Sequence, residues 1–438
     1  DEPLVIFCKP AVDRVPSPEA CLVTGITPQQ AREKGLIEAE FIDQIHQQLS
    51  RPGTCGGGFN SLRFDDEVTR NALFRNFHDP YGREWQNGCS RWDIIDLARM
   101  TAALRPEGIE WPVSEEGRPS FRLEHLTAAN GISHEGAHDA LSDVRATIDL
   151  ARLLRERQPR LFHWLFELRA KRKVFELIDI AGGKPLLHTT RMYPASNYCT
   201  SVVLPLIIEA GNRNSVLVYD LRVDPAPFLE MTAEELHARL FTPLDQLEDS
   251  SQRLPVKSMK ANKCPAVAPV SALDDAAGKR IAIDLEQCAS HREKLMASPG
   301  FADRVENAYS MRSFAPAQDV DASLYGGFLN EHDRAQARRI CGATASELAV
   351  QHYDFHDARL TELLFRYRAR NWPDSLDDAE RDQWLEHCEA RYQDEAHGLD
   401  RYFEQIARFR EERGDNAEAV RVLDQLESWG DELLSGQA

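Results

Sequence analysis

Residues 137–143 read Ala-His-Asp-Ala-Leu-Ser-Asp, and this stretch decides how the first part of the chain is interpreted. It places His138 before Asp143 at the start of a run of apolar residues with helical spacing, namely Ala146, Ile148, Leu150, Leu153 and Leu154. Apolar residues at this spacing predict an amphipathic helix. We therefore expect Asp143 to lie on a helix and His138 on the loop just before it.

An acidic cluster lies upstream, where residues 60–67 read Asn-Ser-Leu-Arg-Phe-Asp-Asp-Glu. Cleavage of a phosphodiester requires an activated water and relief of charge on the leaving oxygen, and two divalent ions about 4 Å apart supply both. Hard ions such as Mg²⁺ prefer carboxylate oxygens, and histidine suits proton transfer near neutral pH. Asp65 and Asp143 as metal ligands, with His138 as general base, meet these requirements.

Each of these residues also has a purely structural interpretation. Asp65 or Asp66 would favourably charge the first turn of a helix, and Asp139 would suit an N-cap. A His-x4-Asp spacing is weak evidence alone, because such spacings arise by chance. The occurrence of both motifs in this order, each beside a helix of α/β type, is more specific.

The length and the cysteines limit the class of protein. A chain of 438 residues is long enough for two or three domains. The 9 cysteines are scattered and include no Cys-x-x-Cys pair, which argues against a zinc site and a disulfide framework. This usage favours a reducing cytosol. No apolar run approaches the roughly 20 residues that cross a bilayer, so we predict a cytoplasmic protein with no membrane partner.

The net charge of −19 would normally argue against a nucleic-acid partner. The charge is uneven, however, because Lys and Arg concentrate in residues 152–173, with Phe162, Trp164 and Phe166 among them, whereas residues 374–438 are densely acidic. An acidic body with one basic, aromatic strip suits a protein that holds a polyanion in one groove. A solvated helix face beside an apolar core stripe explains the same strip equally well.

Periodicity divides the chain into three parts. Residues 1–158 mix strands and helices, which predicts an α/β domain with a strand at Leu4–Cys8 and a helical segment that opens at Trp92. From about residue 185 to 268 the pattern favours strands punctuated by proline and glycine. Beyond residue 316 apolar residues recur at helical spacing.

Longer strings identify the family that the motifs resemble. Residues 63–71, 104–109, 121–126, 262–265 and 367–371 read RFDDEVTRN, LRPEGI, FRLEHL, NKCP and YRARN. Together with the Asp65 and His138–Asp143 motifs, these strings resemble bacterial exonuclease I, the single-strand-specific 3′–5′ exodeoxyribonuclease of the DEDDh superfamily. The matching strings lie in all three parts of the chain, so the resemblance covers nearly all of it.

The resemblance implies an α/β fold with two further domains. It implies an RNase H-like exonuclease domain at residues 1–158, an SH3-like β-barrel domain at 159–313 and a C-terminal α-helical domain at 316–438. The last two domains would close over a groove for single-stranded DNA.

The resemblance also assigns site residues. It implies a two-metal Mg²⁺ site held by Asp65 and Asp143, His138 as general base and Arg122 as the substrate-binding arginine near the scissile end. Further DNA contacts would fall on Arg70, Tyr81, Trp85, Arg99, Trp164, Lys171, Asn214, Lys257 and Asn262. Cations track phosphates, and aromatic rings stack on bases without reading sequence. Tyr81 and Trp85 equally suit packing.

The partners implied are single-stranded DNA and, through its acidic tail, single-stranded-DNA-binding protein. Arg105 and Lys184 are the expected anchors for that tail, and surface solubility is the simpler interpretation of both. We expect a monomer that acts in DNA repair and recombination. Two alternatives stay open: a non-catalytic single-stranded-DNA-binding protein, and an exonuclease of short RNA, against which the two additional domains argue.

The family's first motif, an Asp-x-Glu on the first strand of the sheet, does not occur where the resemblance requires it. Glu38-Ala39-Glu40 lies in a helical stretch without an aspartate, and Asp65 is already assigned. We therefore expect the parent protein to carry about 40 further residues at its N-terminus, including two strands of the sheet. A polypeptide that begins at Asp1 is expected to show no nuclease activity, and Mg²⁺-dependent digestion of single-stranded DNA by it would contradict this.

Overall fold

The computed structural model describes residues 2–134, 140–247, 253–313 and 317–436. The first part of the chain alternates helices with short strands. Its elements, in chain order, are β1 (Phe7–Cys8), α1 (Pro18–Thr24), α2 (Pro28–Lys34), β2 (Gly35–Leu36), α3 (Glu38–Leu49), β3 (Cys55–Gly58), α4 (Asp65–Arg75), β4 (Ser90–Asp93), α5 (Ile95–Leu104), α6 (Leu123–Ala129) and α7 (Ala140–Arg157). Asp143 lies on α7, so the helix predicted for it is confirmed.

The strands of this part form two short parallel sheets. β1 pairs with β2, and β3 pairs with β4 in a register that places Gly58 beside Asp93. The strand predicted at Leu4–Cys8 is shorter than expected, because β2 offers only two partner residues and leaves Leu4 and Val5 exposed.

The helical segment predicted to open at Trp92 is wrong. Trp92 lies on β4, and α5 begins only at Ile95. A four-residue strand runs almost directly into a helix, and both elements bury apolar side chains, so their combined spacing imitates a single helix. The Trp92 ring packs edge-on against Phe162 and Phe166, with centroids 5.0 Å and 5.1 Å away.

The second part of the chain is built on an antiparallel sheet. Its elements are α8 (Pro159–Glu167), α9 (Lys171–Phe175), β5 (Leu186–Thr189), β6 (Thr200–Ile208), β7 (Ser215–Asp220), α10 (Ala233–Phe241), β8 (Val256–Lys260), β9 (Ala266–Pro269), α11 (Asp275–Arg280), α12 (Leu285–Met296) and α13 (Phe301–Ser310). The strands follow the order β8-β7-β6-β5-β9, and every residue of β7 is buried. The core of this sheet is continuous with the apolar faces of α5, α7 and α8.

The third part is helical. It comprises a 3-10 helix at Val320–Gly326 and the helices α14 (Glu331–Cys341), α15 (Ala345–Val350), α16 (Arg359–Asn371), α17 (Asp378–Tyr392), α18 (Leu399–Arg413) and α19 (Ala417–Ser435). The first helices of the chain dock on the last ones, since Gln29 donates to the carbonyl of Gln425 and Arg32 pairs with Glu432 at 2.7 Å. All 9 cysteines are free. Within the described residues, no helix is both long and apolar enough to span a lipid bilayer.

Candidate active site

The turn that leads into α4 is fixed by a buried aspartate at the end of β4. The Asp93 carboxylate accepts hydrogen bonds from the backbone N–H groups of Asn60 at 2.8 Å and Leu62 at 3.2 Å. Asn60 adopts a left-handed conformation, which asparagine tolerates better than most residues. Burial raises the pKa of Asp93 to about 6. This turn sets where the first residue of α4, Asp65, is placed.

The first turn of α4 carries three consecutive carboxylates with different surroundings. Asp66 is buried and pairs with Arg83 at 2.6 Å and Arg91 at 3.0 Å. Glu67 pairs with residues of other parts of the chain. Within the described residues, no other side chain hydrogen-bonds or ion-pairs with the Asp65 carboxylate. Of these three carboxylates, Asp65 is therefore the one available to bind a ligand that is not part of the chain.

The electrostatics of Asp65 fit a cation ligand. Partial burial raises the pKa of Asp65, and the adjacent Asp66 carboxylate raises it further, against the lowering effect of its own backbone N–H. A partly buried carboxylate without a compensating charge is stabilised by a bound cation, and its oxygens are the donors that hard divalent ions prefer. The residue present therefore fits a divalent metal ion.

Asp143 lies near the start of α7 and contacts a histidine that the sequence interpretation missed. His134 Nε2 lies 2.7 Å from Asp143 Oδ1, and His134 Nδ1 lies 3.3 Å from the Thr127 hydroxyl. A carboxylate only accepts hydrogen bonds, so Nε2 must carry the proton in this contact. His138, the predicted general base, falls in residues 135–139, which lie outside the described residues.

An open pocket of about 400 Å³ lies beside His134. Its lining comprises Glu124, Thr127, Ala128, Gly131, Ile132, Ser133 and His134. Arg122, the predicted substrate-binding arginine, is exposed at the N-cap position of α6, the helix that forms one wall of this pocket.

Three of the predicted DNA contacts lie together at the edge of the second part of the chain. Lys171 Nζ donates to Asn214 Oδ1 at 3.2 Å. The Asn214 carbonyl accepts from the backbone of Ala261 at 2.7 Å, which brings Asn262 to the same edge. A cation and two amides side by side on an exposed edge suit contact with a phosphate backbone.

A second group of predicted contacts surrounds Tyr81. The guanidinium of Arg70 lies 5.3 Å from the Tyr81 ring, and Phe328 lies 5.8 Å away, centroid to centroid. Trp85 is 67% exposed, whereas Arg70 is only 4% exposed and bonds Glu84 through two nitrogens. The Arg70 side chain is therefore buried, and it binds Glu84 and packs on Tyr81 instead of reaching solvent.

The other residues predicted to contact DNA make contacts with residues of this chain. Trp164 Nε1 donates to the Val267 carbonyl at 2.9 Å, which docks α8 on β9. Lys257 lies over the Tyr193 ring at 5.3 Å, and burial lowers its pKa, against the opposing effect of Asp220. Arg99 pairs with Asp96 at 2.6 Å.

Two arginines near Arg99 escaped the sequence interpretation. Burial lowers the pKa of Arg63, and the positive charges of Arg191 and Arg99 lower it further, with Asp96 opposing them. Arg63 precedes Asp65 by two residues, so this corner is positively charged beside the acidic turn. Arg63 belongs to the string RFDDEVTRN, which resembles the family. No sequence pattern places Arg191 beside Arg63, because only the fold brings the two arginines together.

Within the described residues, the only cluster of three metal-ligating side chains is His332, Asp354 and His356, in the third part of the chain. The two imidazole rings stack at 13° with centroids 4.4 Å apart, and His332 Nε2 is bonded to the Asp354 carbonyl at 2.8 Å. A metal lies in the plane of each ligating ring, so two nearly parallel rings do not point at one ion. This cluster is a stacked pair and not a formed metal site.

Three known families match successive parts of the chain. Residues 1–151 match the exonuclease family, residues 169–311 match the exonuclease I SH3-like domain, and residues 318–433 match the exonuclease I C-terminal domain. The fold is that of a three-domain exonuclease. The exonuclease family implies dependence on a divalent metal ion.

Individual relatives cover nearly the whole chain. Exodeoxyribonuclease I of Escherichia coli K12 is 43% identical over 99% of this chain and 91% of its own length. The structure of E. coli exonuclease I with a dA16 oligonucleotide superposes with a TM-score of 0.95 at 43% identity, covering 99% of this chain and 92% of that chain. A moderately thermophilic exonuclease I from Methylocaldum szegediense has a TM-score of 0.94 at 48% identity, with the same coverage. This chain belongs to the exonuclease I family.

The family confirms the predicted class, an α/β exonuclease domain followed by an SH3-like domain and a C-terminal helical domain. The boundaries at residues 158 and 313 stay predictions, as do the individual site residues. Other solved structures show E. coli exonuclease I with single-stranded DNA in a zinc-bound form, and exonuclease I with single-stranded-DNA-binding protein and an inhibitor.

Proposed function

We propose that this protein is a single-strand-specific 3′–5′ exodeoxyribonuclease that releases 5′-mononucleotides by two-metal hydrolysis. The observation that carries the proposal is the Asp65 carboxylate at the start of α4, which has no side-chain partner among the described residues, in a chain that belongs to the exonuclease I family. E. coli exonuclease I was solved with dA16 and dT13 oligonucleotides and, in a zinc-bound form, with single-stranded DNA, which supports the substrate. We further propose that it acts in the cytoplasm, in DNA repair and recombination.

Asp65 and Asp143 hold the divalent ions, for which we propose Mg²⁺, because a carboxylate donor set suits a hard ion. When bound, the ions stabilise charge on the leaving oxygen and lower the pKa of a water molecule. His138 would accept a proton from the attacking water. His134 donates to Asp143 and so orients one carboxylate of the pair.

The other predicted contacts hold the DNA strand. Arg122 binds near the scissile end, beside the pocket at His134. Lys171, Asn214 and Asn262 contact the phosphate backbone, whereas the exposed Trp85 and the Tyr81 ring stack on bases. Arg70 positions the Tyr81 ring. The groove for the strand is completed by Arg99, Trp164 and Lys257.

We propose single-stranded-DNA-binding protein as a partner, bound through its acidic tail by Arg105 and Lys184. The complex of that protein with a related exonuclease I supports this. Lys184 is exposed. Arg105 bonds the Ala272 carbonyl and Asp274, so binding of the tail would exchange the Asp274 contact for a new one.

The test compares the complete protein, including any residues encoded before Asp1, with its Asp65→Asn and Asp143→Asn variants. A 3′-labelled single-stranded oligonucleotide is incubated with Mg²⁺, and released mononucleotides are counted. Binding is measured in parallel by fluorescence anisotropy in EDTA. We expect digestion by the wild type, a loss of at least about 100-fold in both variants and unchanged binding in EDTA.

Three outcomes would contradict the proposal. Binding without digestion by the wild type identifies a non-catalytic single-stranded-DNA-binding protein. Faster digestion of an RNA oligonucleotide of the same sequence identifies an exonuclease of short RNA. Full activity of Asp65→Asn removes Asp65 from the metal site.

A further inference from the structure

Glu67 receives one donor from each of the three parts of the chain. Arg70, on its own helix, donates to Glu67 Oε1 at 2.9 Å. Lys263, in the turn between β8 and β9, donates to the same oxygen at 3.0 Å. The hydroxyl of Tyr325, in the 3-10 helix Val320–Gly326, donates to Glu67 Oε2. One carboxylate therefore joins the exonuclease, SH3-like and C-terminal domains.

The turn that carries Lys263 is held in place without Glu67. The Asn262 carbonyl accepts from Arg91 Nη2 at 3.1 Å, and Cys264 Sγ donates to the Arg91 carbonyl at 3.0 Å. Arg91 is itself buried and paired with Asp66. Lys263 is therefore presented by a fixed backbone and does not depend on Glu67 for its location.

The helix that carries Tyr325 is likewise held independently. Asp321, at the start of that 3-10 helix, pairs with Arg370 at 2.5 Å, with Arg14 at 3.0 Å and with Arg366 at 3.1 Å. Asp321 is 4% exposed, so these bonds lie in the interior. Loss of the Tyr325–Glu67 bond would leave both the helix and the C-terminal domain docked.

The start of α4 is tied to the rest of the molecule by side chains. Its N-cap residue, Phe64, makes no side-chain capping bond, whereas Asp93 holds the turn before it and Asp66 and Glu67 bind partners outside the helix. Asp65 lies on this same turn, two residues before Glu67. A displacement of about 1 Å at a reacting centre is enough to cost a large factor in rate.

We propose that Glu67 is a positioning residue that couples docking of the SH3-like and C-terminal domains to the placement of the metal ligand Asp65. The proposal rests on the nuclease function proposed above. The donors from the other two domains hold Glu67 from outside its own helix, and through Glu67 they fix the first turn of α4 and with it the Asp65 carboxylate.

The experiment is a double-mutant cycle with Glu67→Gln and Tyr325→Phe. Tyr325→Phe keeps the ring and removes only the hydroxyl that bonds Glu67. The matched control is Glu427→Gln, which removes an exposed carboxylate paired with Arg410 at 2.8 Å on α19. The first readout is kcat for Mg²⁺-dependent digestion at saturating single-stranded DNA. The second is the rate at which a labelled oligonucleotide dissociates in EDTA, which needs no catalysis.

We expect kcat to fall about 10-fold in each single variant, as for residues that orient a metal ligand, and to fall no further in the double variant. The dissociation rate should match the wild type in all three variants, because the other two domains stay docked without these contacts. Glu427→Gln should match the wild type in both readouts. A purely structural Glu67 would lower the melting temperature and leave kcat unchanged.

The outcomes separate this inference from the proposed function. Digestion by the wild type with an equal kcat in Glu67→Gln overturns the inference alone. If the fold-losses in kcat of the two single variants multiply in the double variant, Glu67 and Tyr325 act independently, and the inference is also overturned. If the wild type does not digest DNA, the proposed function fails and the inference fails with it. Digestion by the wild type with a raised dissociation rate in either single variant overturns the inference alone, because Glu67 would then act on domain docking.

Discussion

His134 is the single residue whose role changes most once the fold is known. Its ring bridges the Thr127 hydroxyl and the Asp143 carboxylate, so it fixes the orientation of a predicted metal ligand. Residues that orient a ligand typically contribute 10–100-fold to activity. We expect His134→Ala to lower kcat by about that factor with little change in DNA affinity in EDTA, as measured by single-turnover digestion and anisotropy. Thr127→Val, which removes only the outer contact, should have a smaller effect, and equal rates for all three proteins would contradict the role.

The sequence predicted Asp143 but not His134, for a physical reason. Asp143 lies at the start of an apolar helical pattern, so periodicity predicts that it lies on a helix. His134 lies in a connecting segment, and its partners are brought to it by the packing of α6 against α7. The pairing of Asp93 with the turn at Asn60 is hidden in the same way, because β4 is only four residues long.

At the scale of elements, the N-terminus of α4 is stabilised by Asp66. Asp66 pairs with Arg83 and Arg91, both of which are at most 5% exposed, and within the described residues only Arg91 has a second carboxylate partner, Glu84. Removing one partner of a buried ion pair leaves uncompensated charge, which typically costs about 3 kcal/mol or more. We expect Asp66→Ala to lower the free energy of unfolding by about 3 kcal/mol, as measured by urea denaturation.

The matched control for Asp66 is Asp378→Ala. Asp378 also lies in the first turn of a helix and pairs with an arginine, Arg381, but its side chain is fully exposed. Exposed pairs contribute little, because water and salt screen them. Asp378→Ala should therefore leave the denaturation midpoint nearly unchanged. Equal destabilisation by the two substitutions would show that Asp66 acts only on the helix dipole.

The helix with a long apolar pattern was predicted, whereas the short strands were predicted less well: the strand expected at Leu4–Cys8 spans only Phe7–Cys8. α7 presents apolar residues at helical spacing over 18 residues. β3 is Cys-Gly-Gly-Gly, which offers almost no side-chain pattern, and β1 has only two residues. Such strands form because a neighbouring strand pairs with them. The sequence of the strand itself does not show which strand that neighbour is.

At the scale of the whole molecule, a buried ionic network joins the two ends of the chain. Arg370, on α16, binds both Asp13 and Asp321, and the first of these lies 357 residues away in sequence. The string YRARN that contains Arg370 served only as a mark of the family, because nothing in the sequence pairs it with Asp13. The three-domain architecture was predictable from the sequence, but the contacts between domains were not.

This network makes stability depend on pH in a predictable direction. Burial alone would raise the pKa of Asp13 and Asp321, but hydrogen bonds from Arg370 to both, and from His387 to Asp13, hold each pKa well below its ordinary value. A carboxyl whose pKa is lower in the folded state contributes stability that is fully present above its unfolded pKa of about 4 and is lost as pH falls further. We therefore expect the melting temperature of the wild type to fall steeply below about pH 4.

Asp321→Asn tests this assignment, because it removes one titrating carboxyl and leaves the shape of the side chain. At pH 7 it leaves Arg370, which is 4% exposed on its side chain, with Asp13 as its remaining carboxylate partner, so we expect a loss of about 3 kcal/mol. As pH falls below about 4, the wild type should lose stability faster than the variant, and the two melting curves should converge. Differential scanning fluorimetry from pH 7 to 3 measures both effects, with Glu427→Gln as an exposed control. Parallel curves with a constant offset would show that Asp321 stabilises the interface by packing and hydrogen bonding, and not through its charge.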